Sequence, residues 1–402
     1  MPSSEPSILS INAGSSTIKF AQFQVGSSLE RHLHGSIEWS GSENASLKFT
    51  DATGALDRAT PSAFDQESAP TVLVDWLEQQ QCFASVKAIG HRVVRGMQHD
   101  GPELVTPALL DELRRVALDD PEHMPLEIHL IEAVARRYPK LPQVVCFDTT
   151  FHRTMPQVAR MLPIPRRYQA MGVERYGFHG LSFAYLMQAL TDLGDPAAKT
   201  GRVILAHLGS GASMAAVLAG KSIDTSMGFT PASGLPMGSR SGDLDPGLVN
   251  YLARTEHMTA VQFQRMVTQE SGLLGLSETS SDMRDLLEHE ATDVRARQAV
   301  ALFCYQSKKW IGAFAAALGG VDTLVFAGGI GENAPIVRAR TCAGLQCLGI
   351  ELDQRRNTAN EAVISATTSR VTVRVMRTDE ERVIAEETER AIGLDSRREI
   401  LA

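Results

Sequence analysis

Two short apolar runs joined by glycine and hydroxyl residues occur twice in the chain. The first copy runs Ile8-Leu9-Ser10-Ile11, then Asn12-Ala13-Gly14-Ser15-Ser16-Thr17, then Ile18-Lys19-Phe20. The second runs from Val203 to Ala206, then His207-Leu208-Gly209-Ser210-Gly211-Ala212-Ser213, then Met214 to Leu218. Apolar runs of this length bounded by turn residues predict buried strands. Strand, glycine turn and strand predict a hairpin whose backbone N–H groups can close on an anion. A second pair of segments, 144–150 and 323–329, predicts two more buried strands ending in polar or glycine turns. Partners lie about 180 to 195 residues apart, a period that points to internal duplication.

Apolar positions spaced by three and four predict helices over 107–118, 127–138 and 181–193. Residues 294–318 are apolar on more than one side, which suits a buried or interface helix. Pro335 predicts the first turn of a helix over 334–345. Thr378-Asp379-Glu380-Glu381 predicts a cap and first turn continuing to Ile392. Residues 88–96 read as a strand ending in basic residues, and 35–69 as polar, turn-rich hairpin decoration. Strands alternating with helices, with hairpins among them, predict an α/β fold with mixed sheets.

At 402 residues the chain is long for one core, so two domains are expected. The net charge of −8 argues against non-specific binding to nucleic acid or an anionic membrane. No apolar run reaches the length of a membrane span, and the N-terminal residues do not read as a secretory signal. The five cysteines are scattered and never spaced as CxxC, so they read as buried thiols in a reducing compartment, hence the cytoplasm.

The candidate chemistry gathers in 203–246. Beyond the second hairpin, Gly228, Gly234, Gly238 and Gly242 stand among Thr225, Ser226, Thr230, Ser239 and Ser241, with Arg240 between them. Such a stretch lines a polar site or is simply a flexible loop. Neither common nucleotide motif is present: GxxxxGK[ST] is missing, and 328–333 lacks the third glycine and the acidic ribose partner. A nucleotide site here would need two facing hairpin loops.

Nine segments in order, INAGSSTIKF, HRVV, FDTTFHRTMP, YGFHGLS, HLGSGAS, DTSMGFTPASGLPMGSRSGDLDP, SSDMRDL, GGIGEN and TDEER, resemble the acetate kinase family over nearly the whole chain. The resemblance implies a duplicated ribonuclease-H-like fold of the actin-like ATPase kind, with its mixed sheets flanked by helices and the active site in the interdomain cleft. Its domains would be 1–150, with a C-terminal helix of about 381–402 packing back on it, and 151–380. It also implies ATP as substrate, Mg²⁺ (replaceable by Mn²⁺), a cytoplasmic homodimer, and direct in-line phosphoryl transfer from ATP to acetate.

By the same resemblance Arg92, Asp148, His179 and Arg240 are catalytic, and Arg92, Val94, Phe178, Pro231 and His123 bind the acid. Asn12, Ser15, Ser16, Thr17 and Lys19 face the phosphates from one loop; His207, Gly209, Ser210 and Gly211 face them from the other. Asp282, Met283 and Arg284, with Gly329, Gly331 and Ile336, surround the adenosine. Asn12, Asp148 and Glu380 orient the metal. Read alone, either arginine suits a solvated surface, His179 a packed turn, and Glu380 an ordinary helix N-terminus.

Three departures from the family pattern concern the pocket. Ser210 stands for an asparagine, Arg95 and Met97 follow HRVV, and Glu122 occupies a position that is usually apolar. If Glu122 turns outward or pairs with Arg95, the acyl cup stays small. Propionate or another short acid is the alternative acceptor, a sugar kinase a further one. An ATP-regulated binding protein of the actin or chaperone kind is the reading from a different class.

Overall fold

The computed structural model describes residues 5–14, 17–40, 44–51, 53–59, 64–118, 120 and 122–394. The chain divides into two units, Met1–Thr150 with Asp379–Ala402, and Phe151–Thr378.

The first unit is built on eight strands: β1 (Ser7–Ala13), β2 (Thr17–Gln24), β3 (Glu30–Ser40), β4 (Asn44–Thr50), β5 (Leu56–Ala59), β6 (Val86–Val93), β7 (Glu103–Leu104) and β8 (Gln143–Phe147). Their order is β5-β4-β3-β2-β1-β6-β8-β7. β1 to β5 form an antiparallel meander, while β6 runs parallel to β1 and β8 parallel to β6. The stretch read as decoration therefore continues the main sheet. Successive side chains of β1 serve opposite faces, as the pleat requires. Leu9 and Ile11 pack with Leu73 and Leu77 of helix Ala69–Glu78 and with Leu126, Leu130 and Val134 of helix Met124–Arg137. Ile8 faces the other way and clusters with Ala21, Phe23 and Ala385 of helix Glu380–Ile392. That helix comes close because Gly90 has no side chain: a Cβ there would stand 2.2 Å from Thr388 Oγ1 and 2.6 Å from Ile384 Cγ2.

The second unit holds β9 (Arg202–Leu208), β10 (Ala212–Leu218), β11 (Lys221–Thr225), β12 (Thr323–Ala327) and β13 (Thr372–Val375), in the order β11-β10-β9-β12-β13. Helix Gly180–Asp192 covers one face through Phe183, Leu186 and Leu190, and helix Val294–Leu318 packs on β9 and β10. Among the described residues no helix is long and apolar enough to cross a membrane.

Both sheets repeat one scheme, a hairpin whose first strand has a parallel neighbour, which has another in turn. The duplication is thus visible in the topology, with β1 and β2 answering to β9 and β10. The second predicted pair is corrected. β12 sits beside β9 as β6 sits beside β1, so the counterpart of 323–329 is β6, and β8 answers to β13. An apolar run ending in a turn does not reveal its neighbours. Residues 328–333, read as a turn, form a short helix, Gly328–Asn333, before Pro335–Cys342. Of the five free cysteines, Cys146, Cys304 and Cys342 are buried, but Cys347 is exposed and Cys82 half-buried, which corrects their reading as buried thiols.

Candidate active site

In the first unit the site is organised on Arg92, near the end of β6. Its guanidinium donates to Ala13 O at 2.7 Å, to Glu127 Oε1 at 3.2 Å and to Asp148 Oδ2 at 3.0 Å. Asp148 follows the end of β8 and is fully buried. Burial works against the Arg92 charge, but Asp148, Glu127 and Glu380 outweigh it and hold the group above its ordinary range. Glu127 is 1% exposed and accepts from Val94 N through its other oxygen at 2.9 Å. Burial pushes its carboxyl up to about 8, against the opposing pull of Arg92. Arg92 is therefore fixed from behind by three acceptors and is no solvated surface residue.

Asn12, on β1, donates its amide to Glu380 Oε2 at 2.8 Å and to Glu381 Oε1 at 3.0 Å. Glu380 and Glu381 open the helix capped by Asp379. Burial raises the Glu381 carboxyl, with Lys19 pulling it down. Lys19 is exposed on β2, in register with Asn12, and Thr17 closes the turn by accepting from Gly14 N at 2.7 Å. Ser15 and Ser16 lie outside the described residues, as do Pro121 and residues 395–402 of the expected C-terminal helix.

Asn12 bonds Glu380, and Asp148 bonds Arg92. Among the described residues no three His, Cys, Asp or Glu side chains gather as a cage. Asp148 and Glu380, both close enough to act on the Arg92 charge, are oxygen donors of the kind Mg²⁺ takes, one or two carboxylates beside water and phosphate oxygens.

In the second unit two histidines stack beside the glycine turn, with ring centroids 4.3 Å apart and planes at 17°. His207 ends β9. His179 precedes helix Gly180–Asp192 in a left-handed conformation, φ 59°, which a non-glycine residue holds only when its surroundings impose it. A Cβ on Gly211 would stand 3.1 Å from His179 Nε2 and 3.9 Å from Arg240 Nη1. These two groups thus converge on the bare backbone of Gly211. Gly209 N donates to Gly211 O at 2.9 Å. That bond closes the turn. Ser210 is exposed, and its carbonyl accepts from Gly238 N at 3.0 Å.

The stretch carrying Arg240 is pinned, not flexible. Ser271 N, Leu273 N and Leu274 N donate to Ser239 O, Met237 O and Gly238 O, and Ser241 N donates to Val267 O. Arg240 itself donates to Pro231 O at 3.2 Å.

Asp282 caps helix Met283–His289 and holds the exposed Arg284, while Met283 is buried. Gly329 and Ile336 are exposed, and Gly331 is buried. The short helix bearing both glycines is clamped by a residue the sequence reading missed. Arg338, fully buried, donates to Gly331 O, Glu332 O, Asn357 Oδ1, Asn357 O and Asn360 Oδ1. None of these acceptors carries charge, and burial pushes its guanidinium down to about 10.

The residues expected to bind the acid divide between the units. Val94 and His123 are buried in the first, where His123 Nδ1 meets Asp120 Oδ1 at 2.9 Å; Phe178 and Pro231 are buried in the second. Arg95 is 1% exposed, whereas Glu122 keeps part of its surface in solvent. Glu127 and Glu381 were also missed. Glu127 had a signal: it shares a helical stripe with Leu130, Ile131 and Val134, where a charge is out of place. Glu381 had none beyond its place in a cap.

The Acetokinase family matches residues 7–386. An acetate kinase of Rhodopseudomonas palustris is 43% identical over 385 residues, 94% of this chain and 96% of the relative. Among solved structures, Porphyromonas gingivalis acetate kinase superposes with a TM-score of 0.84 at 34% identity, over 96% of this chain and all of the other. A propionate kinase from Francisella tularensis gives 0.87 at 33%, over 96% and 99%. By that match and these identities, and with the duplicated sheets already described, the chain belongs to the acetokinase family.

Proposed function

We propose that the protein transfers the γ-phosphoryl group of ATP directly to the carboxylate of acetate, giving acetyl phosphate and ADP, reversibly. A carboxylate oxygen forms the new bond to phosphorus as the bond to the bridging oxygen breaks, and ADP leaves with that oxygen. The nucleophile is already ionised near pH 7, so no strong base is needed. The work is to hold two anions in line and to stabilise the charge spread over the moving group.

One observation carries the reading: His179 Nε2 and Arg240 Nη1 converge on Gly211, where a side chain is lacking. There they donate to the equatorial phosphoryl oxygens. Arg92, fixed by Glu127 and Asp148, grips the carboxylate with its planar fork. Thr17 and Lys19 face the phosphates from one hairpin turn, and His207, Ser210 and Gly211 from the other. Asp282, Met283, Arg284, Gly329, Gly331 and Ile336 receive the adenosine. Val94, Phe178 and Pro231 form the cup for the methyl group, with His123 beside it. Mg²⁺, held by Asp148, Glu380 and Asn12, neutralises phosphate charge when bound.

Purified protein given ATP, Mg²⁺, hydroxylamine and a panel of acids tests this. Acetyl hydroxamate should form fastest. ATP hydrolysis indifferent to added acid would refute the reading, and faster propionyl hydroxamate would favour propionate, as the likeness to the Francisella enzyme suggests. Inversion at a chiral γ-thiophosphate checks the direct transfer. We also take the protein to be a cytoplasmic homodimer: its free cysteines suit a reducing compartment, and exposed Leu244, Val249, Tyr251 and Tyr305 offer apolar surface to a second copy. Sedimentation gives the mass.

A further inference from the structure

Two hydroxyls stand behind the histidine stack and have no role in the reaction derived above. Thr378 Oγ1 donates to Ser182 Oγ at 2.8 Å, and Ser182 Oγ lies 2.8 Å from His207 Nδ1. Ser182 is fully buried in the first turn of helix Gly180–Asp192. A serine hydroxyl carries one hydrogen. Its oxygen receives Thr378 on one lone pair, which leaves that hydrogen free to point at His207 Nδ1, 2.8 Å away, and in that arrangement Nδ1 accepts. A neutral imidazole that accepts at Nδ1 carries its proton on Nε2. Nε2 is the atom on the turn side, 3.7 Å from where a Cβ on Gly209 would stand.

The other ring is held differently. Ser213 Oγ lies 2.8 Å from His179 Nδ1 and also reaches Phe178 O at 3.5 Å. That hydroxyl can turn between an acceptor at His179 and the carbonyl, so His179 Nδ1 can either accept or donate. Two imidazolium rings 4.3 Å apart would repel, which disfavours a second positive charge on the stack.

We propose that Thr378 and Ser182 are positioning residues, a two-hydroxyl relay that holds His207 neutral in its Nε2–H form. The turn then always meets a neutral donor from His207, and any positive charge on the stack belongs to His179. Its value for catalysis rests on the reading of Gly209 to Gly211 as the phosphate-facing turn; the tautomer itself does not.

The test is ¹⁵N NMR of histidine-labelled full-length protein near neutral pH, with His207 assigned through His207→Gln. In the wild type Nδ1 of His207 should resonate as unprotonated and Nε2 as protonated. Thr378→Val, which keeps the shape and removes the donor, should mix the two tautomers, and Thr378→Ser should restore the wild-type pattern. In step, kcat/KM for ATP should fall about tenfold in Thr378→Val, the scale of one weakened charge-assisted hydrogen bond, with the KM for acetate little changed and Thr378→Ser restoring it. Ser182→Ala should give the same spectrum if it folds; Thr378→Val decides the matter if it does not. A protonated Nδ1 in the wild type overturns the relay, and so does a rate loss in Thr378→Val with the tautomer unmoved. The intended tautomer without hydroxamate formation would leave the relay standing and sink the kinase reading instead.

Discussion

Glu127 lies beneath Arg92 and grips two donors at once, the guanidinium at 3.2 Å and Val94 N at 2.9 Å. Its carboxyl is pushed from the ordinary range up to about 8, chiefly by burial. An acid raised on folding binds more protons folded than unfolded across that interval. Its contribution to stability is complete below about 4.5 and is lost as pH rises through about 8. Wild type should therefore unfold more easily in urea at pH 8.5 than at pH 5.5, and Glu127→Gln should flatten the difference. Glu127→Ala, which takes one of three acceptors from Arg92 and leaves buried Val94 N without its partner, should cost about 1–3 kcal/mol. An equal pH slope in wild type and Glu127→Gln would remove Glu127 from the account.

Arg240 is bonded to Pro231 O on a pinned backbone and aims at Gly211. Arg240→Ala should lower turnover roughly 10²–10³-fold, the size of one lost oxyanion donor. Arg240→Lys should recover little, since an ammonium has no planar fork. Unchanged turnover with only weaker acetate binding would place Arg240 in the ground state.

The turn itself discriminates between its two middle residues. Ser210 is exposed, so Ser210→Ala should cost about 1 kcal/mol or less in transition-state binding. Gly211→Ala would set a methyl group 3.1 Å from His179 Nε2 and should lower turnover on the order of 10²-fold with the fold intact. Steady-state kinetics beside a thermal melt separate the two effects. A harmless Gly211→Ala would mean that nothing reacts at that turn.

Arg338 satisfies five neutral acceptors while fully buried, and two of them belong to the short helix carrying Gly331. Arg338→Met should destabilise by about 3 kcal/mol or more, because several buried carbonyls lose their donor together. At temperatures where the variant stays folded, its affinity for ATP should fall more than its affinity for acetate. Equal losses would argue that the clamp has no special bearing on the nucleotide.

Much of what is encoded locally was legible in the chain. Helix Val294–Leu318 and the start of helix Glu380–Ile392 follow from spacing and capping, and both hairpins from their glycine turns. Partnerships between distant segments were not. Nothing local shows that Thr323 to Ala327 answers to β6 rather than β8, since sheet neighbours decide it. The Thr378 to Ser182 bond spans 196 positions and the Ser182 to His207 bond 25, and neither hydroxyl differs on paper from a surface one. Arg338 was hidden for the opposite reason: a helical arginine normally faces water.

The first unit is discontinuous, and this orders events during synthesis. Its sheet is complete at β8, but the helix covering Ile8, Ala21 and Phe23 begins only at Glu380. At roughly 5–20 residues per second the ribosome takes on the order of 10–50 s to deliver the intervening chain. Throughout that interval the uncovered apolar face is open to chaperones and to other nascent chains. The contiguous second unit can close before the first, although its first residue is made later.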